Sequence, residues 1–267
     1  MTRLLPTILA ILIFCTACSA VDSEKAPDRV LFVGNSLLYV GNVPAVFSAL
    51  AEVNGHSVRS DMIVKGGATL SERVADGSVT RALTTRQYKT VVLQERGGDL
   101  ICAFVPDSCD RSLKAIQTLA TSAQAKGASP VLLGTYQAMP RASQMLVENE
   151  LAAATSSGIA YIEISETLQA LNSAAPQLAW FYSDGIHPGK DLALLDAVLI
   201  YKQLYGSYPT AKSFTVHAPI YTSESGLTEA LREAASSPPT AGTPREISYS
   251  SETIERMIAL LKHRSGS

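Results

Sequence analysis

Three residues of types that can together cleave an acyl bond stand where the chain turns. Ser36 follows a short apolar run in Gly34-Asn35-Ser36-Leu37-Leu38, and far downstream lies Ser183-Asp184-Gly185-Ile186-His187-Pro188. A serine hydroxyl is a poor nucleophile at neutral pH and needs a base within hydrogen-bond reach. Histidine suits the task, because an unperturbed pKa of about 6.5 lets it take and return a proton. A carboxylate three residues earlier can reach the imidazole nitrogen that faces away from the serine. It would fix the tautomer and steady the imidazolium. The chain has four histidines, and only His187 combines a strand-end loop with such a carboxylate. His56 follows Gly55 and reads as a surface residue at a helix end, while His217 and His263 read as solvated. The four do not cluster and His-Glu-x-x-His is absent, so no metal site is expected. A Gly-x-Ser-x-Gly elbow is also absent. Neither a Walker sequence nor Gly-x-Gly-x-x-Gly occurs, so no nucleotide cofactor is expected.

The elements that would position these residues alternate. Apolar runs bounded by turn residues read as strands over Arg29–Gly34, His56–Val64, Tyr88–Glu95, Pro130–Gly134 and Ile159–Ile164. Between them, apolar residues recur at helical spacing over Val43–Asn54, Leu70–Leu83, Ser112–Lys126 and Ala142–Ser157. Helices are also expected over Ser165–Asn172 and over Gly189–Tyr205, with Pro188 at the start of the latter, where a lost N–H costs nothing. Near-continuous apolar strands separated by helices argue for a mainly parallel sheet covered on both faces. Right-handed crossovers then give a three-layer α/β/α sandwich, here of roughly five strands. Ligand sites in such sheets lie beyond the carboxyl ends of the strands. Four segments occupy those positions: Gly34–Leu38, Gly66-Gly67-Ala68-Thr69, Gln94-Glu95-Arg96-Gly97-Gly98-Asp99, and Ser183–Pro188.

Taken in order, these four segments resemble the conserved blocks of the SGNH hydrolases, the GDSL esterase/lipase family, over about Arg29 to Tyr205. The resemblance implies a flavodoxin-like fold and a serine esterase with no cofactor. Ser36 would be the nucleophile, His187 its base, and Asp184 the partner of His187. The oxyanion would be held by the backbone N–H groups of Ser36 and Gly67. Asn35 stands where the family usually has Asp, a position that carries no proton. The family's third-block Asn is missing. Gln94 is the preferred substitute, since its carboxamide offers the same kind of donor from the same strand end. Asp99 is the rival by ungapped alignment, although a carboxylate repels an oxyanion. A non-catalytic binding protein on the same fold is the other function class. It has no physical need for Ser36, Asp184 and His187 together. Trp180, Phe181 and Tyr182 precede the Asp–His pair and read either as core or as substrate lining.

The ends of the chain carry a different kind of information. Residues 1–17 show a positive start at Arg3, an apolar run from Leu4 to Phe14 and then small residues, the layout of an export signal. That run is too short to span a bilayer comfortably, since a spanning helix needs about 20 apolar residues. Cys15-Thr16-Ala17-Cys18 resembles a bacterial lipobox, which implies a lipidated Cys18 and an anchor in the cell envelope. An ordinary cut after Ala20 is the alternative. Residues 18–28 would then be a tether. Export to an oxidising compartment makes Cys102 and Cys109 an expected disulfide. Residues 29–205 would form the α/β domain. Residues 206–267 would be a C-terminal extension with a Pro/Ser-rich loop over Ser236–Pro244 and a final helix, Ser251–His263, packing on the domain.

Composition narrows the partners. The 267 residues are 46% hydrophobic and 17% charged, with mean hydropathy +0.14, so the chain can bury a full core. The balance of 22 Lys+Arg against 24 Asp+Glu gives a net charge of -2, with no basic cluster. Nucleic acid is therefore not an expected partner. A small-molecule, lipid or glycan ester is the expected substrate.

Overall fold

The computed structural model describes residues 26–236 and 243–265. The leader over 1–17, Cys18, most of the tether and the middle of the Pro/Ser-rich loop lie outside them. Five parallel strands make up most of the sheet: β1 (Asp28–Gly34), β2 (Val58–Lys65), β3 (Thr90–Leu93), β4 (Ser129–Leu133) and β5 (Ala160–Ile162). The helices between and after them are α1 (Ser36–Tyr39), α2 (Val43–Val53), α3 (Leu70–Ala75), α4 (Ser78–Thr85), α5 (Ser108–Gln124), α6 (Pro140–Ser156), α7 (Ser165–Ala174) and α8 (Lys190–Tyr205).

Strand alternation divides the core into two layers, because successive side chains leave opposite faces. Val30, Phe32, Met62, Val64, Val92 and Val131 join one cluster, which α2, α7 and α8 cover through Val46, Leu50, Leu168, Leu194 and Val198. Leu31, Val33, Ile63, Val91, Leu93 and Leu132 join the other, covered through Leu70, Val79, Ile116, Leu119 and Leu146 of α3 to α6. The expected α/β/α sandwich is the observed architecture.

The structure departs from the sequence expectations at a few places. The helix expected over Leu70–Leu83 is two helices. Gly77 takes φ +64, and Asp76 Oδ1 accepts from the Ser78 N–H at 2.8 Å, so the chain turns between α3 and α4. α8 starts at Lys190 rather than at Pro188, which instead bridges to Phe181. His56 is not a bare surface residue. Its ring stacks on Tyr205 with centroids 3.7 Å apart, and its Nε2 lies 3.1 Å from Tyr201 Oη.

Among the described residues the sheet has six strands, not five; with β7 (Thr228–Glu233) as the sixth, the order is β5-β4-β3-β1-β2-β7. The short strand β6 (Phe214–Val216) precedes the added one, β7 (Thr228–Glu233), which runs antiparallel to β2. β7 reads Thr-Glu-Ala-Leu-Arg-Glu and has no apolar run. Backbone pairing with β2 at the sheet edge makes it a strand, with Leu231 packed against the second core layer. β6 pairs separately with β8 (Ile247–Tyr249). The final helix, α9 (Ser251–Ser265), sends Ile254, Met257, Ile258 and Leu261 into the layer that holds α7 and α8.

Cys102 and Cys109 are joined by a disulfide, with Cα atoms 4.9 Å apart. The bridge closes the loop between β3 and α5. In the chain-entropy account such a short ring stabilises by about 2–3 kcal/mol, so Cys102→Ser/Cys109→Ser should lower unfolding free energy by about that amount. Chemical denaturation of the oxidised wild type against the double variant measures it.

Candidate active site

Three of the four segments follow β1, β2 and β3 at the carboxyl edge of the sheet; the fourth, Ser183–Pro188, follows no strand of the sheet and lies between α7 and α8. β1 ends at Gly34 because a Cβ there would lie 2.8 Å from Leu38 Cδ1 and 3.0 Å from the Gln94 carbonyl oxygen. Asn35 then caps α1, its Oδ1 accepting from the Leu37 N–H at 3.0 Å. Its Nδ2 donates to the Ala68 carbonyl at 3.2 Å. An Asp could not make that second bond, so Asn35 ties the Ser36 turn to the Gly67 loop. Ser36 is the first residue of α1 and is half-buried. Its backbone N–H has no hydrogen bond among the described residues.

The second loop turns at Gly67, with φ +67. Its N–H is also without a partner among the described residues, whereas the flanking Gly66 and Ala68 N–H groups donate to Leu227 and Lys65 carbonyls. Thr69 caps α3 by accepting from the Glu72 N–H at 3.2 Å. Buried Glu95 accepts from the Leu70 N–H at 3.1 and 3.3 Å and from the Arg96 N–H at 2.8 Å. One carboxylate thus joins the loops that follow β2 and β3.

The two candidates from the third segment diverge. Gln94 is buried beside Gly34, where a Cβ on Gly34 would lie 3.4 Å from Gln94 Cβ. One of its amide N–H bonds goes to the Gly134 carbonyl at 3.3 Å, and its Oε1 is buried without a partner. Asp99 is buried too, but both its oxygens are held by Arg96, at 2.7 and 2.9 Å. The guanidinium of Arg96 in turn lies 4.0 Å from the centre of the exposed Phe104 ring. Asp99 therefore fixes Arg96 and the disulfide loop.

The last segment is a tight turn. The Tyr182 N–H donates to the His187 carbonyl at 2.8 Å, and Phe181 bridges to Pro188. Gly189 follows because a Cβ there would collide with the Ala179 and Phe181 backbones. Asp184 Oδ1 accepts from the Ile186 and His187 N–H groups, each at 2.9 Å. Its Oδ2 lies 2.7 Å from His187 Nδ1. An ionised carboxylate only accepts, so Nδ1 carries the proton and Nε2 is left as the basic nitrogen. Partial burial pushes the Asp184 pKa up. The N–H groups of His187 and Ile186, the imidazole and the Ser223 hydroxyl outweigh that and hold it well below the carboxylate range. Tyr136 donates its hydroxyl to the Ile186 carbonyl at 2.6 Å and so braces the turn from the end of β4. The segment just past α1 packs against this turn and α8: a Cβ on Gly41 would lie 3.2 Å from Ala193 Cβ and 3.7 Å from the Pro188 carbonyl oxygen. Of the three aromatics before Asp184, Trp180 is core, with its indole N–H on the Ala175 carbonyl at 3.0 Å. Phe181 packs edge-on against Tyr136.

No protein-family model and no curated protein sequence matches the chain. Solved structures do. A DUF4886 family protein from Bacteroides uniformis gives a TM-score of 0.56 at 15% identity, covering 68% of this chain and 84% of that one. TesA gives 0.54 at 19% identity, covering 67% and 99%. Axe2, an acetylxylan esterase from Geobacillus stearothermophilus, gives 0.53 at 14% identity, covering 67% and 95%.

The chain has the SGNH/flavodoxin-like fold. In this fold two supports of the site escaped the sequence reading. Tyr136 lies just past the β4 end, a position whose location alone was a signal. Glu95 adjoins Gln94, and an acidic residue closing an apolar strand was the signal there. Glu150, on α6, acts like Glu95. It accepts from the Thr135 N–H at 2.9 Å and Oγ1 at 3.0 Å, and from the Tyr161 hydroxyl at 2.7 Å.

Burial raises the pKa of both Glu95 and Glu150 from 4.5 to about 7. Between those values the folded state holds more protons than the unfolded chain. Their contribution is therefore fully present below about 4.5 and is lost as pH rises through about 7. A displacement of that size corresponds to about 3 kcal/mol per group. Unfolding free energy should fall as pH goes from about 5 to 7.5. Glu95→Gln and Glu150→Gln should flatten that slope, as denaturation at a series of pH values would record.

Proposed function

We propose that the protein is an exported serine esterase that hydrolyses carboxylic esters through Ser36, His187 and Asp184. The observation that carries this reading is the His187 turn. It fixes the imidazole to Asp184 at 2.7 Å with Nε2 as the free base, on a loop packed against the segment that follows the Ser36 helix. Solved structures of similar fold include TesA and an acetylxylan esterase, which agrees with it.

In this reading His187 Nε2 takes the Ser36 Oγ proton as Oγ attacks the ester carbonyl carbon. The carbonyl oxygen becomes an oxyanion, held by the Ser36 and Gly67 N–H groups and by the second amide N–H of Gln94. The intermediate collapses, the C–O bond to the alcohol breaks, and the imidazolium gives the alcohol its proton. Water then repeats the sequence on the acyl-serine and releases the acid. Asp184 stays ionised throughout.

The surroundings of the site favour a polyhydroxylated alcohol and a short acyl group. Beside the Gly67 loop, Thr69, Ser71, Arg96, Ser108 and Arg111 line a small cleft of about 260 Å³. Arg96 of this cleft lies against the ring of Phe104, which is half exposed. A sugar presents both hydroxyls and C–H faces to such a surface, whereas a long acyl chain needs an apolar channel. Hydrolysis of acetyl to long-chain esters by the wild type and by Ser36→Ala tests the reading. Short-chain hydrolysis that depends on Ser36 supports it; no hydrolysis of any ester would make the protein a binder on this fold.

Gln94→Ala should lower turnover about 10²–10³-fold with the fold intact, the loss typical of one oxyanion donor. If Asp99→Ala lowers it and Gln94→Ala does not, the donor is misassigned. Cell-envelope anchoring through Cys18 is part of the proposal. It rests on Thr16-Ala17-Cys18 after the apolar run. A diacylglycerol adduct on Cys18, seen by mass spectrometry of the membrane fraction, would establish it. A soluble mature chain starting at Val21 would refute it.

A further inference from the structure

The loop that follows β4, Gly134-Thr135-Tyr136-Gln137, carries none of the candidate catalytic groups but bonds to two of the segments that do. It is well anchored. The Gly134 N–H donates to the Ile162 carbonyl at 2.8 Å, and Thr135 gives its N–H and its hydroxyl to Glu150. The Gln137 N–H donates to Ser165 Oγ at 3.0 Å, and the Gln137 carbonyl accepts from Gln169 Nε2 at 2.9 Å. On the sheet side, the Gly134 carbonyl accepts from Gln94 Nε2 at 3.3 Å. On the other side, Tyr136 reaches the His187 turn. Its hydroxyl donates to the Ile186 carbonyl at 2.6 Å, and its ring stands edge-on to Phe181 with centroids 5.8 Å apart.

The peptide that Tyr136 holds is the one that enters His187. Its carbonyl belongs to Ile186 and its N–H to His187. A peptide unit is planar, so a bond to its oxygen also fixes the direction of its N–H. That N–H donates to Asp184 Oδ1 at 2.9 Å, and Asp184 Oδ2 lies 2.7 Å from His187 Nδ1. Phenol, peptide, carboxylate and imidazole thus form one series of hydrogen bonds, and the bonds of such a chain polarise one another. We propose that Tyr136 is a positioning residue of the site, holding His187 in register with the Gln94 side of the oxyanion hole through the Ile186–His187 peptide. The inference rests on the triad reading above. The turn follows no strand of the sheet, and the bonds among Tyr182, Asp184, Ile186 and His187 move with it. Tyr136 ties it to a loop that also holds Gln94.

Tyr136→Phe removes one oxygen and keeps the ring against Phe181. It tests the role in the full chain, beside the wild type and Ser36→Ala. For a short-chain ester kcat should fall about three- to tenfold, the effect of one neutral hydrogen bond, with KM and Tm held. The ring-nitrogen NMR resonances of His187 should shift in the same variant. Unchanged kcat or unshifted His187 resonances, beside Ser36-dependent activity in the wild type, overturn the role of Tyr136 and leave the esterase reading standing. A fall in kcat accompanied by a raised KM and a lowered Tm makes Tyr136 a packing residue only and also overturns it. Absence of Ser36-dependent activity overturns the esterase reading instead. The resonances then decide alone whether Tyr136 sets the His187 ring, and unshifted signals would overturn that.

Discussion

Ser36→Ala should fold normally and lose ester hydrolysis by about 10⁴-fold or more. Removing a nucleophile of this type leaves only what binding and oxyanion stabilisation contribute. The fold should survive because Ser36 is half-buried and makes no side-chain bond among the described residues that holds the turn. The turn is set instead by Asn35, through Leu37 and Ala68. His187→Ala should cost about as much, since nucleophile and base act as one unit and their losses do not add. Circular dichroism and steady-state hydrolysis of a short-chain ester, run on the same samples, check both statements.

Asp184→Asn should lower turnover about 10⁴-fold while leaving the loop nearly in place. The carboxamide oxygen can still accept from the Ile186 and His187 N–H groups, as Asp184 Oδ1 does at 2.9 Å. Its amide nitrogen, however, donates where Oδ2 accepted. His187 would then turn its protonated nitrogen toward Ser36 and present no base. Because the Asp184 carboxyl is held well below the usual carboxylate range, activity of the wild type should not be limited by its protonation at mildly acid pH. Steady-state rates of Asp184→Asn and wild type between pH 5 and 8, with thermal unfolding as the folding control, measure both effects. A loss under about tenfold would mean that Asp184 does not orient the base.

The parts of the molecule that were legible in the sequence are those set by short-range pattern. Leu31 and Val33 alternate with Val30 and Phe32, and that alternation alone assigns the two core layers of β1. Asp184 and His187 are three residues apart, so one turn of chain suffices to join them. What was not legible depends on partners far away in sequence. β7 is a strand because β2 offers an unpaired edge, a fact its own residues do not carry. That Arg96 engages both Asp99 oxygens while Gln94 lies beside Gly34 is likewise not legible in the order of these residues. The break between α3 and α4 was visible in principle at Asp76-Gly77, where the helical apolar spacing was read through the glycine.

The most direct test of the central claim is covalent. An alkyl phosphonate ester with a good leaving group reacts with an activated serine and with few other side chains. The account predicts one phosphonyl group per chain, found by peptide mass spectrometry on Ser36, with loss of hydrolysis in step with labelling and none in Ser36→Ala or His187→Ala. Labelling of a different residue, or full hydrolytic activity in chains phosphonylated at Ser36, would contradict it.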